Sequence, residues 1–88
     1  MKTYQVIIPD TVIKQIKAYP KADAKRILKK ARSLGSNPRP QGYKKLDPPY
    51  SDFYRVHVGN YRIIYQIQDD TLIVSVENAP RRNERTYK

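Results

Sequence analysis

The sequence has no cysteine and no tryptophan, and only one histidine and one phenylalanine. Without cysteine there can be no disulfide, no thiolate nucleophile and no Cys-based zinc site. One histidine cannot build a His-rich metal cage. Carboxylates are scarce, with eight Asp and Glu against eighteen Lys and Arg. The acidic cluster that a magnesium nuclease needs is missing, since the adjacent pair Asp69-Asp70 reads as a turn. Neither a metal nor an organic cofactor is therefore expected. No apolar run reaches the roughly 18 residues of a membrane-spanning helix. Met1 to Gln5 lacks the long apolar segment of a signal peptide, so a cytoplasmic address is expected.

What is abundant is positive charge. Eighty-eight residues carry a formal net charge of +10. So many like charges on a small body repel one another unless a polyanion is near. Nucleic acid is the first partner to consider and an acidic protein the second. Tyrosine is also common, at eight residues. Its ring can stack on a base, or fill a thin core with the hydroxyl at the rim. A chain of this length supports a single domain, spanning 1–88, built as a two-layer stack around one core.

Along the chain, Tyr4, Val6 and Ile8 alternate with Thr3, Gln5 and Ile7, which predicts a strand ended by Pro9. Asp10 is a candidate N-cap for a short helix carrying Val12, Ile13, Ile16 and Tyr19 at helical spacing. Pro20 closes it. A second helix starts near Lys21 to Asp23, with Ala24, Ile27, Leu28, Ala31 and Leu34 as its apolar stripe and basic residues elsewhere. Gly35 follows the last apolar residue as a C′ residue should, with Pro38 just beyond. A loop over 36–52 holds four prolines, read as stiffeners, with Leu46 as the expected anchor into the core. From Phe53 onward the period becomes two. Three strands follow, joined by a Gly59-Asn60 turn and a second two-residue turn at Asp69-Asp70. The order is β-α-α-β-β-β. The expected fold is α+β, with two helices on one face of a small, mainly antiparallel four-stranded sheet.

These turns fix a register. Val58 should face Tyr61, His57 Arg62, Val56 Ile63 and Tyr54 Tyr65. Across the second turn, Gln68 should face Thr71, Ile67 Leu72, Tyr65 Val74 and Arg62 Glu77. Tyr54, Val56, Val58, Tyr61, Ile63, Tyr65, Ile67, Leu72, Val74 and Val76 then share one face, which should take the helices. The other face carries Arg55, His57, Arg62, Ile64, Gln66, Ile73, Ser75 and Glu77. Like charges opposite each other destabilise a sheet, so Arg55, His57 and Arg62 together suggest an anion-binding face. The plainer reading is an ordinary solvated face with Glu77 neutralising Arg62.

Such a face suits RNA cleavage without metal, in which the 2′-hydroxyl attacks the adjacent phosphorus and the 5′-oxygen leaves. That reaction needs a base, an acid and cations on the developing phosphorane. His57 is the side chain whose unperturbed pKa fits proton transfer near neutrality. Arginine forks suit the phosphate oxygens. Beyond the last strand a basic tail adds Arg81, Arg82, Arg85 and Tyr87. Lys44 and Lys45 are further candidate RNA contacts.

The segment Tyr54-Arg55-Val56-His57-Val58-Gly59-Asn60-Tyr61-Arg62-Ile63-Ile64-Tyr65-Gln66-Ile67 resembles the RelE/ParE toxin superfamily. The two basic helices and the Arg-rich tail ending in Tyr87 extend the resemblance over nearly the whole chain. It implies a toxin of a type II toxin–antitoxin system. On the RelE side it implies an endoribonuclease that cuts mRNA in the ribosomal A site and so inhibits translation. The positions it marks as catalytic are Arg55, His57, Arg62, Arg82 (or its neighbour Arg81) and Tyr87. The strand positions held by Arg55 and His57 are often Lys in the family. Arg55 would then hold phosphate and His57 would move a proton, as base or acid. The resemblance also implies a cognate acidic antitoxin and a toxin that is monomeric when alone. The rival expectations are a ParE-like inhibitor of DNA gyrase without nuclease chemistry, and a non-catalytic RNA-binding protein.

Overall fold

The computed structural model describes residues 3–82. Its elements are β1 (Gln5–Ile7), α1 (Asp10–Lys17), α2 (Lys21–Ser33), β2 (Lys44–Lys45), β3 (Tyr54–Val58), β4 (Tyr61–Gln68) and β5 (Ile73–Asn78). The strands form one five-stranded sheet in the order β1-β5-β4-β3-β2. β1 runs parallel to β5 and the other pairings are antiparallel. The α+β class is as expected, but the sheet has five strands rather than four. The addition is β2, whose two residues are too few to carry a visible period.

Both helices begin after a proline. Pro9, not Asp10, is the N-cap of α1, and its carbonyl accepts from the amides of Val12 (2.9 Å) and Ile13 (3.0 Å). Pro20 does the same for α2, accepting from Ala24 N–H at 2.9 Å. Asp10 lies in the first turn instead, where its charge favours the helix dipole. Val12 and Ile16 of α1 and Ala24, Ile27 and Ala31 of α2 are buried against Val56, Ile63, Tyr65, Val74 and Val76 of the sheet. Tyr4, Val6 and Ile8 pack at the margin of this core, as their alternation predicts.

Gly35 follows α2 but has no left-handed φ; the positive-φ glycines are Gly42 and Gly59. It is glycine because β1 passes against it. A Cβ there would lie 2.8 Å from the carbonyl oxygen of Tyr4, and Tyr4 N–H donates to Gly35 O at 2.7 Å. Leu46 is only half-buried and is not part of the core. The loop is tied to the core through Pro38, which is buried and whose carbonyl accepts from the Tyr65 hydroxyl at 2.7 Å. Arg39 adds a second tie by forking onto Asp69, which also accepts from the Tyr4 hydroxyl.

The first hairpin has the expected register: Val58 pairs with Tyr61, His57 with Arg62, Val56 with Ile63 and Tyr54 with Tyr65. The second does not. Its loop runs from Asp69 to Leu72, with Leu72 at φ 56, so Gln68 pairs with Ile73, Ile67 with Val74 and Tyr65 with Val76. The shift is two residues, which keeps every side chain on its face. Val74 and Val76 therefore still enter the core, while Leu72 leaves the strand for the turn. A register shift then falls between Ile64 and Tyr65, where Ile64 pairs with Asn78 and Glu77 is the extra residue on β5. Arg62 consequently does not face Glu77. Its amide donates to Pro80 O at 2.9 Å, and Tyr61 pairs with Arg81 in an isolated bridge.

Candidate functional site

The helices cover one face of the sheet, and the candidate site is on the other. Arg55 and His57 project from β3, two residues apart and so on the same side. Arg62 stands directly opposite His57 on β4, and Lys44 stands opposite Arg55 on β2. Arg82 reaches the same place from beyond β5, because its amide donates to the Asn60 carbonyl at 2.7 Å and so fastens the chain beside the first hairpin turn. That turn is tight because Gly59 adopts φ 57.

The imidazole of His57 is the centre of this group. Its pKa is held below the ordinary value of 6.5, first by partial burial and then by the positive charges of Arg55, Arg82, Arg62 and Lys44. The cations thus arrive from four separate segments. Arg55 Nη1 lies 2.9 Å from His57 Nε2. A guanidinium has donors but no lone pair, so Nε2 must be the acceptor. The ring is therefore neutral, with its proton on Nδ1. A neutral imidazole is the form that can accept a proton, once its Nε2 lone pair is free of Arg55.

The pair Arg81-Arg82 divides between two sides. Arg81 places its guanidinium 5.0 Å from the centroid of the Tyr19 ring, on the helix side. Arg82 contributes to the electrostatics of His57. Both line an open cleft of about 440 Å³ together with Asn60 and Tyr61. Lys45 pairs with Tyr54, so the alternation puts it on the helix-side face, away from Lys44. Arg85 and Tyr87 lie outside the described residues. Among the described residues, no group of three or more His, Cys, Asp or Glu side chains is arranged to hold a metal ion. No helix among them is long and apolar enough to cross a membrane.

Asn60 is the site residue that sequence reasoning missed. It was legible as a turn residue, but its carbonyl's role in fixing Arg82 depends on how the chain returns after β5, for which no local signal exists. The underside of the hairpin is braced as well. Tyr61 donates to Asp23 Oδ2 at 2.8 Å, Arg26 bridges Asp23 at 2.7 Å, and Tyr19 packs on Tyr61 with ring centroids 4.5 Å apart. Burying Tyr61 in this way holds β4 still immediately before Arg62.

Residues 6–82 match the family model described as the ParE toxin of the type II toxin–antitoxin system parDE. No curated protein matches the sequence. Among solved structures, the chain is similar to one in the archaeal RelE–RelB complex from Pyrococcus horikoshii OT3. That match has 29% identity and a TM-score of 0.79, over 93% of this chain and 98% of the other. A chain of the RelBE2 toxin–antitoxin complex from Mycobacterium tuberculosis matches with a TM-score of 0.80 at 21% identity, over 91% and 99% of the two chains. The RelB–RelE complex from Methanococcus jannaschii gives 0.63 at 26% identity, over 86% and 89%.

Proposed function

This chain belongs to the ParE toxin family of type II toxin–antitoxin systems, within the RelE/ParE superfamily and on the RelE-like side that its structural neighbours occupy, and from that premise we propose that it acts as an endoribonuclease. The observation that carries the reading is the neutral imidazole of His57 set among Arg55, Arg62, Arg82 and Lys44 on the face of the sheet opposite the helices.

The chemistry follows from those groups. An RNA phosphodiester is drawn in by the cationic field, which also raises its local concentration. His57 Nε2 accepts the proton of the 2′-hydroxyl as that oxygen attacks phosphorus; the bond to the 5′-oxygen breaks, that oxygen takes a proton from water as it departs with the downstream strand, and a 2′,3′-cyclic phosphate is left on the upstream one. Arg62 and Arg55 stabilise the charge that builds on the phosphorane oxygens. Arg82 contacts the scissile phosphate or the leaving group. Tyr87 is assigned the stacking of an mRNA base, on the strength of the resemblance alone. No step calls for a metal. The substrate is mRNA in the ribosomal A site, so the outcome in a cell is arrested translation in the cytoplasm.

A cognate acidic antitoxin is proposed as partner. The support is the +10 charge of this chain and the neighbours above, which are complexes of RelE with RelB. The second reading, a ParE-like gyrase inhibitor without nuclease chemistry, is favoured by the description of the matched family. Three reactions separate the readings: purified protein with programmed ribosomes, with naked mRNA, and with gyrase and relaxed plasmid. Primer extension should reveal cuts within the A-site codon in the first and far fewer in the second. Intact mRNA on the ribosome combined with blocked supercoiling would replace the nuclease reading by the gyrase one.

A further inference from the structure

The contact between Arg55 and His57 does more than place two site residues together. A strong hydrogen-bond donor occupies the lone pair that a base must use, at 2.9 Å. While Arg55 stays there, Nε2 cannot take a proton from a hydroxyl. A guanidinium that caps an imidazole has a far better partner in a phosphate or sulfate oxygen, which is anionic and accepts the fork in a bidentate way. We propose that Arg55 is a displaceable cap on His57, which a tetrahedral oxyanion pulls from Nε2 onto itself, so that binding the anion uncovers the base. The inference shares the site of the proposed nuclease but not its reaction, since uncovering needs only an anion and no bond cleavage.

The groups facing His57 make the direction of the linked titration definite. Arg55 lies on its own strand β3, Arg62 on β4, Lys44 on β2 and Arg82 beyond β5, and each is positive. The one carboxylate within β3, β4 and β5 is Glu77, which is exposed. An anion among these cations offsets the repulsion that opposes protonation of the ring, and moving Arg55 removes the competitor for Nε2. Anion binding therefore raises the affinity of His57 for a proton. By reciprocity, lowering the pH strengthens anion binding by the same factor.

His57 is the only histidine in the chain, so its ring nitrogens give an unambiguous NMR signal. Sulfate is the probe, because its charge is constant where imidazole titrates. In the sulfate-free protein the ring should be locked as the Nδ1–H tautomer with an accepting Nε2. Saturating sulfate should move the Nε2 signal and raise the titration midpoint by about one pH unit, equivalent to roughly tenfold tighter sulfate binding below both midpoints. Arg55→Gln should release the tautomer lock without sulfate and cut the sulfate-induced shift to less than half. Arg62→Gln removes one charge but not the cap, so the lock should persist. If Arg55→Gln does not fold, the wild-type titration still decides. Sulfate that perturbs the backbone amides of Arg62 and Arg82 while leaving Nε2 unmoved overturns the cap, as does an identical tautomer in wild type and Arg55→Gln. Either result would leave the nuclease proposal standing. Coupling that appears as described, without any cleavage on programmed ribosomes, would instead support the cap and remove the nuclease.

Discussion

The same central strands present two faces that handle positive charge in opposite ways. On the helix side, Arg26 and Arg81 are answered from within the chain. Arg26 bridges Asp23 at 2.7 Å, Asp23 also receives Tyr61, and Arg81 lies over the Tyr19 ring. On the outer face, the hydrogen-bond partner of Arg55 is a neutral imidazole rather than a carboxylate, and Arg62, Arg82 and Lys44 add to the same field. The partners of Arg26 and Arg81 thus come from the fold itself. The outer face gathers positive charge around a neutral imidazole, which suits it to an anion supplied from outside. That difference separates what holds the fold from what the fold is proposed to do, and it can be attacked by mutation.

The largest effect is expected from the outer face, and on rate alone. His57→Ala combined with Arg62→Ala should lower mRNA cleavage on programmed ribosomes by about 10³-fold or more, the usual scale for losing a general base together with an electrostatic stabiliser. Because neither side chain belongs to the apolar core, the thermal midpoint should stay nearly unchanged. Ile63→Ala, on the other face, removes a side chain of 0% exposure from the core. It should cost about 2–5 kcal/mol of stability while leaving the rate per folded molecule intact. If the double variant lost stability, or Ile63→Ala lost specific activity, the two faces would not be separable in the way described.

How far this division could be read from sequence depended on the turns. Gly59-Asn60 announces a two-residue hairpin, so the pairing of His57 with Arg62 was legible from residue types alone. The β4–β5 loop has no such signal. Leu72 adopts a left-handed φ without being Gly or Asn, and the loop takes four residues instead of two. Parity rescued the face assignment, because a shift of two leaves every side chain on its own side. It could not rescue the Arg62–Glu77 pair, which the irregularity at Ile64/Tyr65 also separates. The approach of Arg82 to His57 was suggested by resemblance but not by spacing, since it hangs on a backbone bond to Asn60 made by tertiary packing. Ile64 shows the limit of alternation: it lies on the outer face and is still only 1% exposed.

A smaller effect is expected at Gly35, which stands at C′ of α2 as the sequence indicates but is constrained by its neighbours rather than by a left-handed φ. A left-handed C′ glycine replaced by alanine suffers backbone strain wherever its neighbours lie. Gly35 instead meets neighbours, with the added Cβ 2.8 Å from Tyr4 O and 3.2 Å from Val6 Cγ2. The first of these is backbone and cannot rotate away. Gly35→Ala should therefore push β1 from the end of α2 and cost about 1–3 kcal/mol, read as a lower urea midpoint. Since β1 is the edge strand farthest from β3, cleavage per folded molecule should be preserved. A Gly35→Ala protein as stable as wild type would show that β1 yields freely at this point.

The smallest effect is in the pH dependence of stability, where the two faces should separate along one axis. The pKa of His57 is lower in the folded protein than the ordinary 6.5, chiefly through partial burial and then through Arg55 and its fellow cations. The unfolded chain therefore binds the proton first as pH falls. Stability should be flat above about 6.5, decline as pH drops from there through the folded pKa, and level off once both states are protonated. Asp23 also has a lowered pKa, held down by its bond from Arg26 and then by that from Tyr61. Its contribution is present above the ordinary carboxylate value of 3.8 and is lost as pH falls below that through the folded pKa. Urea titrations across the acid range should thus show an upper limb belonging to the outer face and a lower limb belonging to the helix side. His57→Gln should abolish the upper limb alone, and Asp23→Asn should flatten the lower limb alone. Sulfate should shrink the upper limb, because an anion among the guanidiniums offsets the cationic part of the imidazole's resistance to its proton, leaving the part due to burial.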